Sequence, residues 1–208
     1  MLDDKCARVI NNVFQCLQDG SERGYIGESI SQLDHALQAA ASAEQNGADE
    51  ETILAALLHD IGQFVSSPES KAMLVEATDL AGATEPFSVG VHGHERIGAE
   101  YLTRLGFSKK VTALVEAHVP VKRYLTGKYA EYYDTLSDAS KLSLKYQGGP
   151  YTPEEVADFE KLPYYNEKVA IRRWDDGAKV VDLKVPELEH YRQMAINHLR
   201  QQASLSVQ

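Results

Sequence analysis

The sequence has few features of a secreted or membrane-spanning protein. It has only two cysteines, Cys6 and Cys16, which lie ten residues apart in one helical pattern and cannot bridge on a straight helix. The first residues, MLDDKCARVINNVFQCLQDG, are acidic early and contain no apolar stretch typical of a signal peptide. No apolar run is long enough to cross a bilayer. We therefore expect reduced thiols, a cytoplasmic location and no membrane partner.

The sequence also has no excess of basic residues. Its 21 Lys and Arg stand against 31 Asp and Glu, which gives a formal net charge of -10. A surface that binds a nucleic-acid duplex is usually basic, so we expect no nucleic-acid partner. The local basic pairs Lys122-Arg123 and Arg172-Arg173 fit either an ordinary solvated surface or a site for a small anion.

Helical spacing of apolar residues is present along nearly the whole chain. In the first segment this spacing is shown by Ile10, Val13, Phe14 and Leu17. We find no convincing alternating strand pattern and no internal repeat. The sequence predicts an all-α fold with one domain over residues 1–200 and a frayed tail at 201–208. Residues 66–92 are rich in Ser, Pro, Gly and Thr and predict a long loop, with a short helix at 69–81, of the kind that often covers a functional site.

Four histidines fall in four separate predicted helical segments: His35, His59, His94 and His118. A single histidine beside an apolar helix face is usually a core residue whose ring nitrogens are satisfied. Four of them would each need their own buried partners, whereas one shared metal site would satisfy them all. Carboxylates would balance the charge, and Asp60, which follows His59 in AALLHDIGQ, is the first candidate.

The order His35, His59-Asp60 and a later aspartate resembles the signature of the HD-domain superfamily. Its dinuclear members add two histidines before the last aspartate. The resemblance implies a helical bundle with a dinuclear metal site in its core. The implied ligands are His35, His59, Asp60, His94, His118 and Asp175. These are nitrogen and oxygen donors, which suit Fe, Mn or Zn, and a carboxylate such as Asp60 can bridge two cations.

Two of these assignments have competitors in the sequence. His94 is preferred over His92 because dinuclear members carry an acidic residue, here Glu95, directly after the ligand. Asp175 is preferred over Asp176 because members show an aromatic-Asp-x-x-x-Lys arrangement. Trp174, Asp175 and Lys179 match this arrangement. Asp176 would then be a solvent-facing neighbour of the ligand.

A second set of motifs is more specific. Most HD proteins are phosphohydrolases, but the Gly-Tyr-Pro motif of the two-metal cyclic-dinucleotide branch is absent here. Tyr25 and Glu28 in RGYIGESISQLDHALQAA, with LLHDIG, HxxxK, LSxxSxxSLxxQGGP and RRWDD, resemble the phosphonate-cleaving mixed-valent diiron oxygenases over about 25–180. The resemblance implies two iron ions, Fe(II)/Fe(III), with O2 as co-substrate. A small organophosphonate, a 1-hydroxyphosphonate, would lose its C–P bond to give a carboxylic acid and phosphate.

The resemblance also implies roles for residues around the metals. Tyr25 would occupy an iron until substrate displaces it, and Glu28 would face the cationic end of the substrate. Lys122 would pair with the phosphonate and Ser140 would donate to it, with Gln147 as a secondary candidate for substrate binding. The alternatives are a packed loop aromatic for Tyr25, surface charge for Lys122 and a turn or helix hydroxyl for Ser140.

Gln63 is a departure from this pattern. Members that cleave 2-amino-1-hydroxyethylphosphonate carry a histidine there. A neutral glutamine and the eleven tyrosines of the chain favour a quaternary ammonium. The preferred substrate is therefore (1-hydroxy-2-(trimethylammonio)ethyl)phosphonate, which would give glycine betaine and phosphate. The alternatives are the primary amine, which would give glycine, a metal-dependent phosphohydrolase, and a non-catalytic helical sensor or scaffold.

Overall fold

The structure is a computed structural model that describes residues 2–20, 29–65, 72–75 and 87–206. This part of the chain forms ten α-helices and one antiparallel pair of strands. The helices are α1 (Leu2–Asp19), α2 (Gln32–Gln45), α3 (Glu50–Leu58), α4 (His94–Leu105), α5 (Lys109–Lys128), α6 (Ala130–Thr135), α7 (Asp138–Tyr146), α8 (Pro153–Phe159), α9 (Tyr165–Gly177) and α10 (Arg192–Leu205). The strands are β1 (Ala72–Val75) and β2 (Phe87–Val91). The prediction of a helical bundle is confirmed.

The two strands correct the prediction for the segment 66–92. No strand was expected, and a short helix was expected at 69–81, where the structure instead has β1. The strands pair with a register shift between Ala72 and Leu74. Both strands contact α7, and β2 also contacts the 3-10 turn Ile61–Gln63. Short apolar runs do not distinguish a strand from a helix by periodicity, because the pairing partner lies elsewhere in the chain.

Helix α3 lies in the middle of the bundle. Every residue from Thr52 to Leu58 is buried, and α3 packs against α2, α5 and α9. Burial of one leucine such as Leu54 or Leu57 contributes about 1.5–3 kcal/mol relative to exposure. A helix buried on all sides brings its last turn into the core as well. His59 and Asp60, which follow Leu58 directly, therefore begin inside the protein.

Helix α5 is the longest helix that the structure describes and connects the two parts of the core. Its first half packs with α3 and α4, and its second half packs with α6 and α8. Ser108 accepts a hydrogen bond from the Val111 amide and so caps its first turn. Buried positions include both His118 and Lys122, one turn apart. The helix therefore presents an imidazole and an ammonium group to the same interior region.

Helix α10 closes the bundle against α1. Arg200 on α10 donates a 2.7 Å hydrogen bond to Asp3 on α1. The helix continues to Leu205, beyond residue 200, where the sequence-based domain boundary was placed. None of the helices in the described ranges combines the length and the apolar character that a bilayer span requires.

Candidate metal centre

Six side chains from five parts of the chain converge in the core. They form two groups, in each of which the candidate ligand atoms lie within 4.8 Å of one another. The first group is His35, His59 and Asp175, and the second is Asp60, His94 and His118. These are the six residues named from the sequence. Their competitors His92 and Asp176 belong to neither group among the residues that the structure describes, and His92 is exposed.

The turn after α3 brings the two groups together. Asp60 starts the 3-10 turn Ile61–Gln63, and Gly62 within it packs against α4. A Cβ atom at Gly62 would collide with the His94 carbonyl oxygen and lie 2.8 Å from the Gly98 amide nitrogen. Only glycine permits this approach, which places the first residue of α4, His94, beside Asp60.

The four imidazoles share one hydrogen-bonding arrangement. Each Nδ1 lies 2.7–2.8 Å from a backbone carbonyl oxygen, and the accepting residues are Ala178 for His35, Ala56 for His59, Val91 for His94 and Val115 for His118. A neutral imidazole that donates from Nδ1 has a lone pair on Nε2. All four lone pairs therefore point into the site, which is the arrangement found in metal-binding histidines.

The distances between these nitrogens support a cation. Nε2 of His35 lies 3.0 Å from Nε2 of His59, and Nε2 of His94 lies 2.9 Å from Nε2 of His118. Two lone pairs at this distance repel unless a proton or a metal ion is shared between them. With carboxylate oxygens facing both pairs, the donor set fits two divalent or trivalent cations.

Asp60 lies between the two pairs. Its Oδ1 atom is 3.2 Å from His94 Nε2 and 3.4 Å from His118 Nε2, whereas Oδ2 is 3.5 Å from His59 Nε2 and 3.9 Å from His35 Nε2. Burial favours the neutral acid, but the imidazoles around it hold the pKa of Asp60 well below its usual range. Asp60 is therefore an ionised carboxylate with one oxygen for each group.

Asp175 serves the first group with one oxygen. Its Oδ1 atom lies 3.3 Å from His35 Nε2 and 3.9 Å from His59 Nε2, and Oδ2 accepts a 2.6 Å hydrogen bond from Arg172 Nη1. Burial would raise the pKa of Asp175, but the Arg172 charge outweighs it and holds the pKa well below its usual range.

The imidazole pKa values show how strongly the site attracts positive charge. Burial lowers the pKa of His59 to about 4. Burial also opposes protonation of His35 and His94, but hydrogen bonds to Asp175 and Asp60, respectively, outweigh it and raise their pKa values. In the protein without metal, bound protons supply this positive charge. A metal ion that binds must displace them.

A cavity of about 60 Å³ adjoins the second group, which is room for a small ligand rather than a large one. Three cationic residues, Lys122, Arg172 and Lys179, line it together with three serines, Ser137, Ser140 and Ser143. Lys122 Nζ donates a 2.7 Å hydrogen bond to Ser143 Oγ, and Lys179 Nζ lies 3.1 Å from Ser137 Oγ. Cations and hydroxyl donors beside a metal pair suit a small anion such as a phosphonate.

Lys122 is buried in this cavity. Burial, and after it the Arg172 charge, lowers the pKa of Lys122 to about 7. A bound anion would favour the charged form of the lysine. The position of Lys122 thus differs from the surface charge that was the alternative reading of the sequence.

The other residues proposed for substrate fall into two classes. Gln63, Ser140 and Gln147 line the cavity, whereas Tyr25 and Glu28 lie outside the described residues. The Gln147 Oε1 atom is buried and has no hydrogen-bond partner. Gln63 also has a role that the sequence did not indicate, because its Oε1 atom accepts a 2.8 Å hydrogen bond from the Val91 amide. Val91 in turn accepts the Nδ1 hydrogen of His94, so Gln63 supports that ligand indirectly.

Sequence reasoning missed several functional groups at this site. Asp176 does not face solvent as expected, because it pairs with Arg172 and accepts a hydrogen bond from Tyr132. Ser137, Ser143 and Lys179 line the cavity without having been predicted to do so, whereas Arg172 was considered only as part of a basic pair that could bind a small anion. The i, i+3 and i+4 spacing of Arg172, Asp175 and Asp176 was the available signal.

Comparisons with known proteins point to the same family as the sequence motifs. The HD-domain family profile matches residues 33–146. Hydroxymethylphosphonate dioxygenase of Gimesia maris is 42% identical over 182 residues, which cover 88% of this chain and 84% of the relative. The glycine-betaine-forming [1-hydroxy-2-(trimethylamino)ethyl]phosphonate dioxygenase of Leisingera caerulea is 41% identical over 170 residues, 82% of this chain and 80% of the relative. An uncharacterized protein of Acanthamoeba polyphaga mimivirus is 35% identical over 190 residues, 91% of this chain and 81% of the relative.

Proposed function

The chain belongs to the HD-domain family, and from this premise we propose that it is a diiron oxygenase that uses O2 to cleave the C–P bond of a small 1-hydroxyphosphonate. The observation that carries the proposal is the pair of His-carboxylate groups, bridged by Asp60, beside a cavity lined by cations. The two relatives with assigned activities are both named as phosphonate dioxygenases.

The overall reaction balances without a further reductant. A 1-hydroxyphosphonate and one O2 give one carboxylic acid and one phosphate, because both oxygen atoms are retained in the products. Iron as Fe(II)/Fe(III), bound by the six ligands, would supply the redox chemistry that activates O2. Tyr25, which lies outside the described residues, would be a further iron ligand in the absence of substrate, and Glu28, also outside them, would face the far end of the substrate.

The described residues provide the binding of the phosphonate. Lys122, whose ammonium group lies inside the cavity, pairs with the dianion, and the Ser140 hydroxyl and the Gln147 amide are close enough to line the same space. Arg172 and Lys179 add positive charge. A dianion held here is desolvated beside the metals, where charge-assisted hydrogen bonds are stronger than in water.

Two of the candidate substrates are supported by a relative that is named for them. Gln63 and the Leisingera relative support the trimethylammonio compound. The cavity supports hydroxymethylphosphonate, because its described lining contains three cations and no Phe, Tyr or Trp that could hold a quaternary ammonium. Hydroxymethylphosphonate has no cationic group, and the Gimesia relative is named for it.

One experiment tests both the reaction class and the substrate. Protein loaded with iron under anaerobic conditions is mixed with hydroxymethylphosphonate, the trimethylammonio compound or 2-amino-1-hydroxyethylphosphonate, and O2 uptake and phosphate are measured together. We expect one phosphate for each O2 with at least one compound, and none without O2. Phosphate release from a phosphoester without O2, supported by Mn or Co, would instead identify a phosphohydrolase and refute the proposal.

A further inference from the structure

A closed ring of hydrogen bonds lies behind the ligand Asp175. Arg172 donates from Nη2 to Asp176 Oδ1, and Tyr132 donates from its hydroxyl to Asp176 Oδ2. The ring closes with a 3.1 Å hydrogen bond from Arg172 Nε to the Tyr132 oxygen. Arg172 and Asp176 are on α9 and Tyr132 is on α6, so the ring connects two helices.

The ring determines which part of the guanidinium reaches Asp175. With Nε and Nη2 engaged by Tyr132 and Asp176, Arg172 offers Nη1 to Asp175 Oδ2 at 2.6 Å. Asp175 Oδ1 is left facing His35 and His59. The carboxylate is thus divided between a cation of the protein and the first group of the metal centre.

It is unusual that Arg172 contacts only one oxygen of Asp175, because arginine and a carboxylate prefer to pair through two parallel hydrogen bonds. Such a pair would use both oxygens of Asp175 and turn Oδ1 away from the histidines. Arg172 is almost completely buried, with a side chain 4% exposed, so water does not compete for its donors. Asp176 occupies Nη2 and thereby prevents the two-bond pair.

We propose that Asp176 and Tyr132 are positioning residues, which hold the Arg172 guanidinium so that Asp175 keeps one oxygen for the cation at His35 and His59. This rests on the proposed function only in requiring that the two groups bind metal. Neither residue touches the reacting atoms. Their effect is confined to one of the two metal positions, and this distinguishes the role from general support of the fold.

The test is a stepwise Co²⁺ titration of the metal-free protein, followed by calorimetry and by the Co²⁺ absorption bands. In Asp176→Ala we expect the affinity for one of the two ions to fall about 10–100-fold, while the other changes by less than about twofold. Asp176→Asn keeps an oxygen that can accept from Nη2, so its loss should be smaller. Tyr132→Phe should weaken the same ion.

Two variants serve as matched controls. Asp158→Ala removes an exposed aspartate whose partner is Lys161 on the surface, and Tyr133→Phe removes the hydroxyl of the neighbouring, exposed tyrosine on α6. Both should bind two Co²⁺ ions as the parent protein does. Because Tyr132 and Asp176 act through one ring, the double variant should lose less affinity than the sum of the single losses.

Two results would overturn the proposal: unchanged affinity for both ions in Asp176→Ala, or equal weakening of both. If Asp176→Ala does not fold, Asp176→Asn and Tyr132→Phe carry the same test. Co²⁺ affinity does not depend on any substrate. A protein that takes up no O2 would therefore refute the proposed function and leave this inference to be judged on the titration.

Discussion

At the scale of single residues, Asp60 connects the two halves of the metal centre. In the described part of the chain, its carboxylate has an oxygen within 4 Å of a nitrogen from every one of the four histidines. Asp175, by contrast, faces only His35 and His59. The two aspartates therefore differ in what their removal should do, although the pKa of each carboxyl lies well below its usual range.

We expect Asp60→Ala to lose both metal ions, because neither group then has the carboxylate that bridges them. Asp175→Ala should lose one ion of the two. The measurement is metal content after desalting, by elemental analysis, with circular dichroism to show that the helices persist. Two ions retained in Asp60→Ala would contradict the bridging role.

Lys122→Met should mainly raise the Michaelis constant for the phosphonate, with a loss of about 1.5–3 kcal/mol in kcat/KM if the lysine makes a charge-assisted bond. Steady-state kinetics of O2 uptake measure it. Lys145→Met, on the exposed side of α7, is the matched control and should leave KM unchanged. Equal KM values in the two variants would exclude Lys122 from the phosphonate site.

The pKa of Lys122 gives this site a pH dependence. Burial and the Arg172 charge lower its pKa to about 7 from 10.5, so we expect the lysine of the free enzyme to lose its proton above pH 7. Lys122 must then take up a proton when an anion binds. We expect KM to rise above pH 7, by at most about tenfold per pH unit, and we expect Lys122→Met to lose this rise. A KM that stays flat in the parent protein between pH 7 and 9 would contradict the assignment.

At the scale of elements, the turn after α3 and the start of α4 form one unit. Gly62 and Gly98 lie in contact, since a Cβ atom at Gly98 would lie 3.0 Å from the Gly62 nitrogen. The same turn reaches β2 through the hydrogen bond from Val91 to Gln63. Since Val91 also orients His94, the strand pair helps to position a candidate ligand that sequence patterns had assigned to a helix start alone.

Gly62→Ala should push the turn after α3 away from the start of α4. The added methyl group meets backbone rather than a flexible side chain, so we expect a loss of about 1–3 kcal/mol in the free energy of unfolding and weaker binding at the His94–His118 group. Urea denaturation and metal content measure the two effects. Gly177→Ala, where a Cβ has nothing within 4 Å, is the control and should be tolerated. Similar stability in both variants would show that α4 can move away from the turn without a loss in the free energy of unfolding.

At the scale of the whole molecule, the candidate ligands tie together helices that are distant in sequence. His35 on α2 donates to the Ala178 carbonyl after α9, 143 residues further along the chain. Binding of metal to such a set stabilises the folded chain, since the unfolded chain has no assembled site. In the metal-free protein the imidazoles and carboxylates would share protons instead of metal ions.

We expect chelation to lower the melting temperature. Metal at a thousand times its dissociation constant contributes about 4 kcal/mol, and each kcal/mol shifts Tm by about 2–4 °C in a chain of this size. Differential scanning fluorimetry with and without chelator measures it. The gain should shrink as pH falls, because His35 and His94, whose pKa values are raised, then hold protons in competition with the metal. An unchanged Tm would mean that the metal does not contribute to the fold.

The sequence by itself determined the helical period, the absence of a membrane-spanning run and the identity of the six converging donors. The helical period and the lack of a membrane-spanning run follow from local spacing and residue type, whereas the six donors were identified by the resemblance to the HD-domain signature. The sequence did not reveal the strands at 72–75 and 87–91, because strand pairing joins separate segments.

Only the tertiary structure showed which group each donor atom faces. It assigned one Asp60 oxygen to each histidine pair and placed Arg172 between Asp175 and Asp176. It also buried Lys122 rather than leaving it on the surface. The physical reason is that hydrogen-bond partners, burial and pKa values arise from packing between distant helices, and no pattern along a single helix contains that information.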